Sequence, residues 1–247
     1  YSQLITTQPV FSPIYHVWYP ETELCYMRNK SGFFFAAKGG HNAESHNHND
    51  IGSFLLYYEN RPLFIDVGVG TYTRQTFSEE RYSIWTMQSD YHNIPKINGK
   101  SQKDGVNYRS KDVKYKESKN QFSLDISQAY PQDADIEFWR RTYTLNIRGG
   151  LEIEDKFVLK KVHEFNKINF MSIIKPDVSL PGKVIFEINE KQIQLSYSKE
   201  QFIPEIEEII LDDPRLSGTW GSVVYRLILV AKDKKAKGNY KFSIVPL

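Results

Sequence analysis

The chain has 247 residues, with 32 Lys and Arg against 30 Asp and Glu for a formal net charge of +2, and 14% of its residues are aromatic. That length suits one large domain or two small ones, and all-β sandwiches often run this long as one unit. The charge is too small for the broad basic surface of a nucleic-acid binder, and no apolar run approaches the roughly 18–20 residues of a membrane helix. A single cysteine, Cys25, excludes intrachain disulfides and cysteine-rich zinc sites while leaving the compartment open.

The first residue is Tyr1, and nothing after it has the charged n-region and apolar h-region of a signal peptide. The chain therefore reads as trimmed, with any targeting signal upstream. With 16 Tyr and 15 Phe, and short apolar runs punctuated by Gly, Asn, Asp and Pro, the composition favours strands. Ser53 to Tyr58, the turn Glu59-Asn60-Arg61-Pro62 and Leu63 to Val67 predict a first hairpin. Ser78 followed by Glu79 and Glu80 resembles a capped helix start with acids in its first turn. Tyr82, Trp85 and Met87 continue it at helical spacing, so a short helix is expected near residues 79–88.

Hairpins are predicted at Asn98-Gly99, where both residues tolerate positive φ, and around Ser118-Lys119-Asn120. Arg140 to Ile147 and Leu151 to Leu159 form another about Arg148-Gly149-Gly150. In its return strand Leu151, Ile153, Asp155, Phe157 and Leu159 share one face, opposite Glu152, Glu154, Lys156 and Val158, which is period two with one wet face. Turns follow at Asn189-Glu190 and Lys237-Gly238-Asn239, and Glu205 to Leu211 fits either helix or strand. Val223 to Ala231 and Tyr240 to Val245 read as a last pair closing the domain, with the lysine run at 232–237 as a solvated loop. No repeat or low-complexity linker divides the chain. The expectation is one domain over residues 1–247, a two-layer antiparallel β-sandwich.

Four of the six histidines fall within residues 41–92, two of them in His46-Asn47-His48. Two imidazoles so close together point to a cation or to catalysis. Asp66 lies inside Leu63-Phe64-Ile65-Asp66-Val67, an otherwise buried strand, where an unpartnered carboxylate costs several kcal/mol. Its alternatives are a salt bridge, a loop cap or a metal. Mixed nitrogen and oxygen ligands suit zinc and similar ions, and His92 is the natural third ligand. A straight strand would hold His48 and Asp66 more than ~20 Å apart. The metal reading therefore requires residues 46–52 to fold back as a tight turn, for which Asp50 and Gly52, both strand breakers, are suited. The same bend lets one histidine face metal and the other a cleft. His16, His41 and His163 read as structural, and Trp18, Trp139 and Trp220 as core.

Three stretches together resemble the C-terminal domain of heparinase II/III-type polysaccharide lyases: Glu44-Ser-His-Asn-His-Asn-Asp-Ile-Gly-Ser-Phe54, Pro62-Leu-Phe-Ile-Asp-Val-Gly68 and Tyr91-His-Asn-Ile-Pro-Lys-Ile-Asn-Gly99. Weaker similarity, including Arg141-Thr142 and Ile153-Glu-Asp-Lys-Phe157, extends over most of the chain. In that family an α/α toroid packs against a β-sandwich, with the substrate cleft between them. The resemblance implies metal ligands at His48, Asp66 and His92, with zinc first and calcium or another divalent ion as alternatives. It implies a cleft-facing catalytic or substrate-placing role for His46. The family's catalytic tyrosine, with an asparagine and another histidine, comes from the toroid, and no segment here has the toroid's repeated long helices.

The implied reaction is β-elimination on a uronic-acid-containing glycosaminoglycan of the heparin or heparan sulfate kind, in a bacterial periplasmic or secreted setting. The uronate carboxylate must be neutralised, the C5 proton removed and the leaving oxygen protonated, and a histidine titrating near neutrality suits such work. His46 would polarise the substrate carboxylate or assist the base. The metal would act as a Lewis acid or, the favoured option, as a structural ion holding the His46 loop. Asn47, Arg74, Arg81 and Tyr82 are weaker substrate-binding candidates, since arginine grips anions bidentately; support of the turn and solvation are their plainer roles. The alternatives are a carbohydrate-binding or structural sandwich, and a two-histidine, one-carboxylate iron oxygenase. The latter lacks a nearby glutamate after the histidine pair.

Overall fold

The computed structural model describes residues 15–247. Its strands form two facing layers, and all their pairings are antiparallel. A seven-stranded sheet makes one layer, in the order Lys183–Ile188, Lys191–Ser196, Lys237–Pro246, Leu151–Leu159, Ile136–Leu145, Gln121–Asp125 and Lys111–Lys116. A five-stranded sheet (His16–Tyr19, Leu24–Arg28, Phe33–Lys38, Phe54–Tyr58, Arg61–Phe64) and a four-stranded sheet (Phe202–Ile210, Val223–Ala231, Lys167–Ser172, Pro95–Lys96) make the other. These two meet edge to edge, where the Ile65 amide donates to the Met171 carbonyl at 3.0 Å. A short ribbon of His41–Asn42 and Gly105–Arg109 flanks them.

The core lies between the layers and is rich in aromatic side chains. Phe35 and Phe54 of the five-stranded sheet reach Tyr143 of the seven-stranded one, with ring centroids at 5.1 and 5.3 Å. Phe202 of the four-stranded sheet meets Tyr240 at 4.7 Å. A smaller cluster of Ile65, Val67, Met171, Leu211, Leu216 and Val224 sits under the four-stranded sheet. Leu151–Leu159 alternates buried and accessible residues along its whole length, as its period-two pattern predicts. Ten phenylalanines and five tyrosines go into this one inter-sheet core, each contributing a large apolar area.

Several expectations hold at the turns. Glu59-Asn60 and Asn189-Glu190 both have positive φ at both residues, as two-residue hairpin turns require. The first closes Tyr58 on Arg61, so Arg61 and Pro62, expected in the turn, begin the return strand, which ends at Phe64 and not at Val67. Asn98 and Gly99, at φ 52° and 77°, join the bridged pair Ile97 and Lys100. Glu205 to Leu211 resolves as strand, within Phe202–Ile210.

Other expectations change. The segment near 79–88 is no α-helix; it winds through 3₁₀ turns at Glu79–Ser83, Trp85–Met87 and Ser89–Tyr91. Ser78 caps it as expected, accepting from the Glu80 amide at 3.2 Å, but Ile84 and Gln88 are extended and break the helical ladder. The α-helix of the described residues is Pro214–Trp220, with Asp213 accepting from the Arg215 and Leu216 amides and proline in its first turn. Likewise Val223–Ala231 and Lys237–Pro246 do not pair with each other. The first joins the four-stranded sheet and the second the seven-stranded sheet, so the lysine run carries the chain across the sandwich. Lys237-Gly238-Asn239, read as a turn, is the start of that second strand.

Candidate metal centre

The stretch between Phe33–Lys38 and Phe54–Tyr58 does fold back on itself. His46 takes a left-handed φ of 59° and Gly52 one of 79°, and the Ser53 amide closes a turn on the Asp50 carbonyl at 2.9 Å. Position 52 is restricted further, because an added Cβ would meet Ile126 Cγ2 at 2.8 Å. This bend turns His48 inward, where it is buried, and leaves His46 exposed. Asp66 lies just beyond the strand Arg61–Phe64. Its neighbours Ile65 and Val67 face the smaller core, so the period-two rule sends the carboxylate to the opposite side. His92 follows the last of the 3₁₀ turns and is buried.

These three residues, distant in sequence, converge. One ligand atom from each of His48, Asp66 and His92 lies within 4.8 Å of the others. His48 Nδ1 and Asp66 Oδ1 are 3.6 Å apart, as are His92 Nε2 and Asp66 Oδ2. The two imidazoles approach more closely, with His48 Nδ1 3.0 Å from His92 Nε2.

The donor set fits a divalent cation. The Gln88 carbonyl lies 2.9 Å from His92 Nδ1, which assigns a proton to that nitrogen and aims the Nε2 lone pair at the cluster, a common arrangement behind metal-ligating histidines. Two imidazole lone pairs facing each other at 3.0 Å need a proton or a cation between them. Asp66 Oδ1 accepts from the Gly68 amide at 2.7 Å, fixing its rotamer. Burial disfavours the ionised Asp66 carboxyl, but the His92 and His48 imidazoles and the Gly68 amide outweigh it and hold the group below the usual carboxylate range. Burial lowers the His48 imidazole. At His92 burial acts in the same sense, yet the adjacent Asp66 prevails and raises it. A lowered His48 and a firmly ionised Asp66 are in the protonation states a metal needs, whereas at His92 a cation would have to displace the proton that Asp66 favours.

Around the cluster, Asn47, Arg81 and Tyr82 also come together. The Tyr82 hydroxyl donates to Asn47 Oδ1 at 3.0 Å, and Arg81 donates to the carbonyls of Thr76 and Asn47, both at 3.0 Å. Their polar groups are engaged with one another and with the turn that presents His46. Arg74 stands apart at the head of the turn Gln75–Phe77; among the described residues it makes no ion pair.

Sequence reasoning assigned no role to the residues that hold this centre in place. The Asn93 side chain donates to the carbonyls of Phe54 (2.7 Å) and Ile65 (3.0 Å) and accepts from the Met171 amide (2.7 Å). It thereby locks His92 beside the residue preceding Asp66. Arg141 is fully buried and pairs bidentately with Asp155, both contacts at 2.8 Å. Its remaining nitrogen donates to the Asn93 carbonyl at 2.8 Å. The available signal was the period: Arg141 and Asp155 both fall on inward-facing positions of adjacent strands.

His16, His41 and His163 lie outside the cluster. His16 Nδ1 meets the Tyr115 hydroxyl at 2.9 Å, and His163 pairs with Asp135 at 2.6 Å. Trp139 is fully buried, whereas Trp18 and Trp220 pack at the margins of the two cores.

With this geometry in view, the comparisons with known proteins can be set beside it. The model of the heparinase II/III-like C-terminal domain matches residues 16–213. Among solved structures, the heparan sulfate lyase HepC from Pedobacter heparinus superposes with a TM-score of 0.73 at 13% identity, covering 95% of this chain and 37% of that one. A crystal structure of heparinase III gives a TM-score of 0.65 at 18% identity, covering 92% and 35% of the respective chains. No curated protein sequence matches. The chain thus spans little more than a third of the length of these structural relatives, with which it shares a fold. Because the family model covers most of its residues, this chain belongs to the heparinase II/III-like C-terminal domain family.

Proposed function

We propose that this chain is the metal-bearing β-sandwich portion of a polysaccharide lyase that cleaves a uronic-acid-containing glycosaminoglycan, of the heparin or heparan sulfate kind, by β-elimination. The observation that carries this reading is the convergence of His48, Asp66 and His92, with the exposed His46 on the same turn as His48, in a family whose structural relatives include a heparan sulfate lyase and a heparinase III. His48 Nδ1, His92 Nε2 and an Asp66 oxygen would hold one divalent ion, with zinc the best match for two imidazoles and a carboxylate. When bound, that ion would supply fixed positive charge beside His48 and neutralise the half-buried Asp66 carboxylate.

The chain's own residues then do the following. Asn47, Arg81 and Tyr82 brace the turn, so that His46 is presented at a fixed orientation towards a cleft. His46 there stabilises the substrate carboxylate or passes a proton. The other wall, with the remaining acid–base groups, would come from an α/α toroid of the same polypeptide, in a periplasmic or secreted lyase.

Elemental analysis of the purified chain tests the centre. About one equivalent of zinc or another divalent metal is expected, and His48→Ala or Asp66→Asn should lose it. A metal-free, normally folded wild type that also fails to take up added zinc would overturn the assignment.

A further inference from the structure

The described residues hold a polar concavity that shares no lining residue with the His48, Asp66 and His92 cluster. It has a volume of about 910 Å³, within the range of small-ligand sites (roughly 300–1,000 Å³). It opens at one end of the seven-stranded sheet, where the start of Lys111–Lys116, the connection through residues 126–135 and the residue after Leu151–Leu159 converge. Its floor is pinned from below. The Tyr130 hydroxyl donates to the Pro95 carbonyl, Asn98 Nδ2 donates to the Ala134 carbonyl at 2.9 Å, and the Lys103 amide donates to the Ala129 carbonyl at 3.2 Å. A groove held this way is ordered before any ligand arrives.

The lining carries Arg109, Lys111 and Lys160 against one acid, Glu137. Among the described residues, Arg109, Lys160 and Glu137 form no ion pair. Lys111 shares its charge with Asp125 at 3.6 Å. Acids close by are committed elsewhere: Asp112 to Arg140, Asp133 to Lys100 and Asp135 to His163. The amides of Asn107, Gln128 and Gln132 also line the groove, and none of them has a side-chain hydrogen bond within the described residues. Unpaired cations interleaved with free amides suit a ligand that carries both negative charges and hydroxyl groups. An apolar ligand would find little to bury against, and the molecule's net charge of +2 leaves such local clusters to do any anion binding.

We propose that this groove is an accessory binding site for an anionic oligosaccharide, with Arg109 and Lys160 taking its sulfate or carboxylate groups and the three amides its hydroxyls. The anion preference stands on the groove alone, whereas the saccharide part of the ligand rests on the proposed lyase reading. Titration of the 247-residue chain with a fluorescent heparan sulfate hexasaccharide tests it, with an uncharged hexasaccharide for comparison.

The charged ligand should bind at least tenfold more tightly than the neutral one, with an affinity that falls as salt rises. Arg109→Ala/Lys160→Ala should weaken binding at least tenfold and flatten the salt dependence. Both side chains are exposed, so the fold should be kept, as circular dichroism would verify. Lys119→Ala/Lys183→Ala, which removes the same charge elsewhere on the surface, should change binding less than twofold. The groove assignment falls if the wild type shows no preference for the anionic ligand, or if the Lys119/Lys183 pair matters equally. It also falls if binding is lost in His46→Ala but kept in Arg109→Ala/Lys160→Ala, an outcome that leaves the lyase reading standing.

Discussion

At the scale of single residues, burial sets the chemistry of three side chains. Cys25 is fully buried, and burial pushes its thiol up to about 12 despite a hydrogen bond from Ala37. The thiolate is the reactive form, so native protein should be inert to a thiol reagent at pH 8 and react fully once unfolded; fast native labelling would contradict this packing. Asn93 satisfies three buried backbone groups at once. Asn93→Ala should cost roughly 3 kcal/mol, as leaving buried partners unsatisfied does, readable by urea denaturation. At His48 and His92 a metal competes with protons for the same lone pairs. The rise in melting temperature on adding zinc should therefore shrink as pH falls from 7.5 to 5.5. A gain independent of pH would argue against imidazole ligation.

At the scale of elements, the pair of strands Ile136–Leu145 and Leu151–Leu159 supports the His48, Asp66 and His92 cluster through Asn93. Burial disfavours the charged Arg141 guanidinium, but Asp155 more than compensates and keeps it firmly protonated. Arg141→Leu would leave the buried Asp155 without its partner, and should destabilise by about 3–5 kcal/mol. Adding Asp155→Leu should recover only part of that loss, because the buried Trp139 indole, which donates to Asp155 at 2.9 Å, and the Asn93 carbonyl are left unpaired. Arg141→Leu also frees the Asn93 carbonyl, so its zinc affinity should fall, which a chelator competition would measure.

The short helix expected near 79–88 belongs to the same scale. Its cap and acidic first turn were legible, but its interior is too short and irregular to propagate. Helix formation has a costly nucleus, and here the turns are held by tertiary contacts. Arg81 and Tyr82 bond to Asn47, and Trp85 packs against Tyr91 with ring centroids at 5.0 Å.

At the scale of the whole molecule, one sandwich buries a continuous core while the candidate site sits at its surface. His46 is exposed and has no second wall among the described residues. Purified alone, the chain should therefore yield no unsaturated uronide from heparan sulfate, followed by ultraviolet absorbance. Robust turnover would show that its own residues suffice for the reaction. Structural relatives of nearly three times its length are consistent with a cleft completed by another domain.

What the amino-acid sequence determined by itself was local and periodic. Alternation along Leu151–Leu159, the positive-φ turns at Asn60, Asn98 and Asn189, and the misfit of Asp66 in an apolar strand all follow from short-range stereochemistry and the cost of burying charge. The motif around His46 and His48 brought the family into view. Only the tertiary structure decided which strands pair: Val223–Ala231 and Lys237–Pro246, neighbours in sequence, belong to opposite layers, the first between Phe202–Ile210 and Lys167–Ser172 and the second between Lys191–Ser196 and Leu151–Leu159. Only the tertiary structure, too, brought His48, Asp66 and His92 within reach of one ion and placed Arg141 behind them. Those contacts join residues tens of positions apart, and no local preference encodes such a distance.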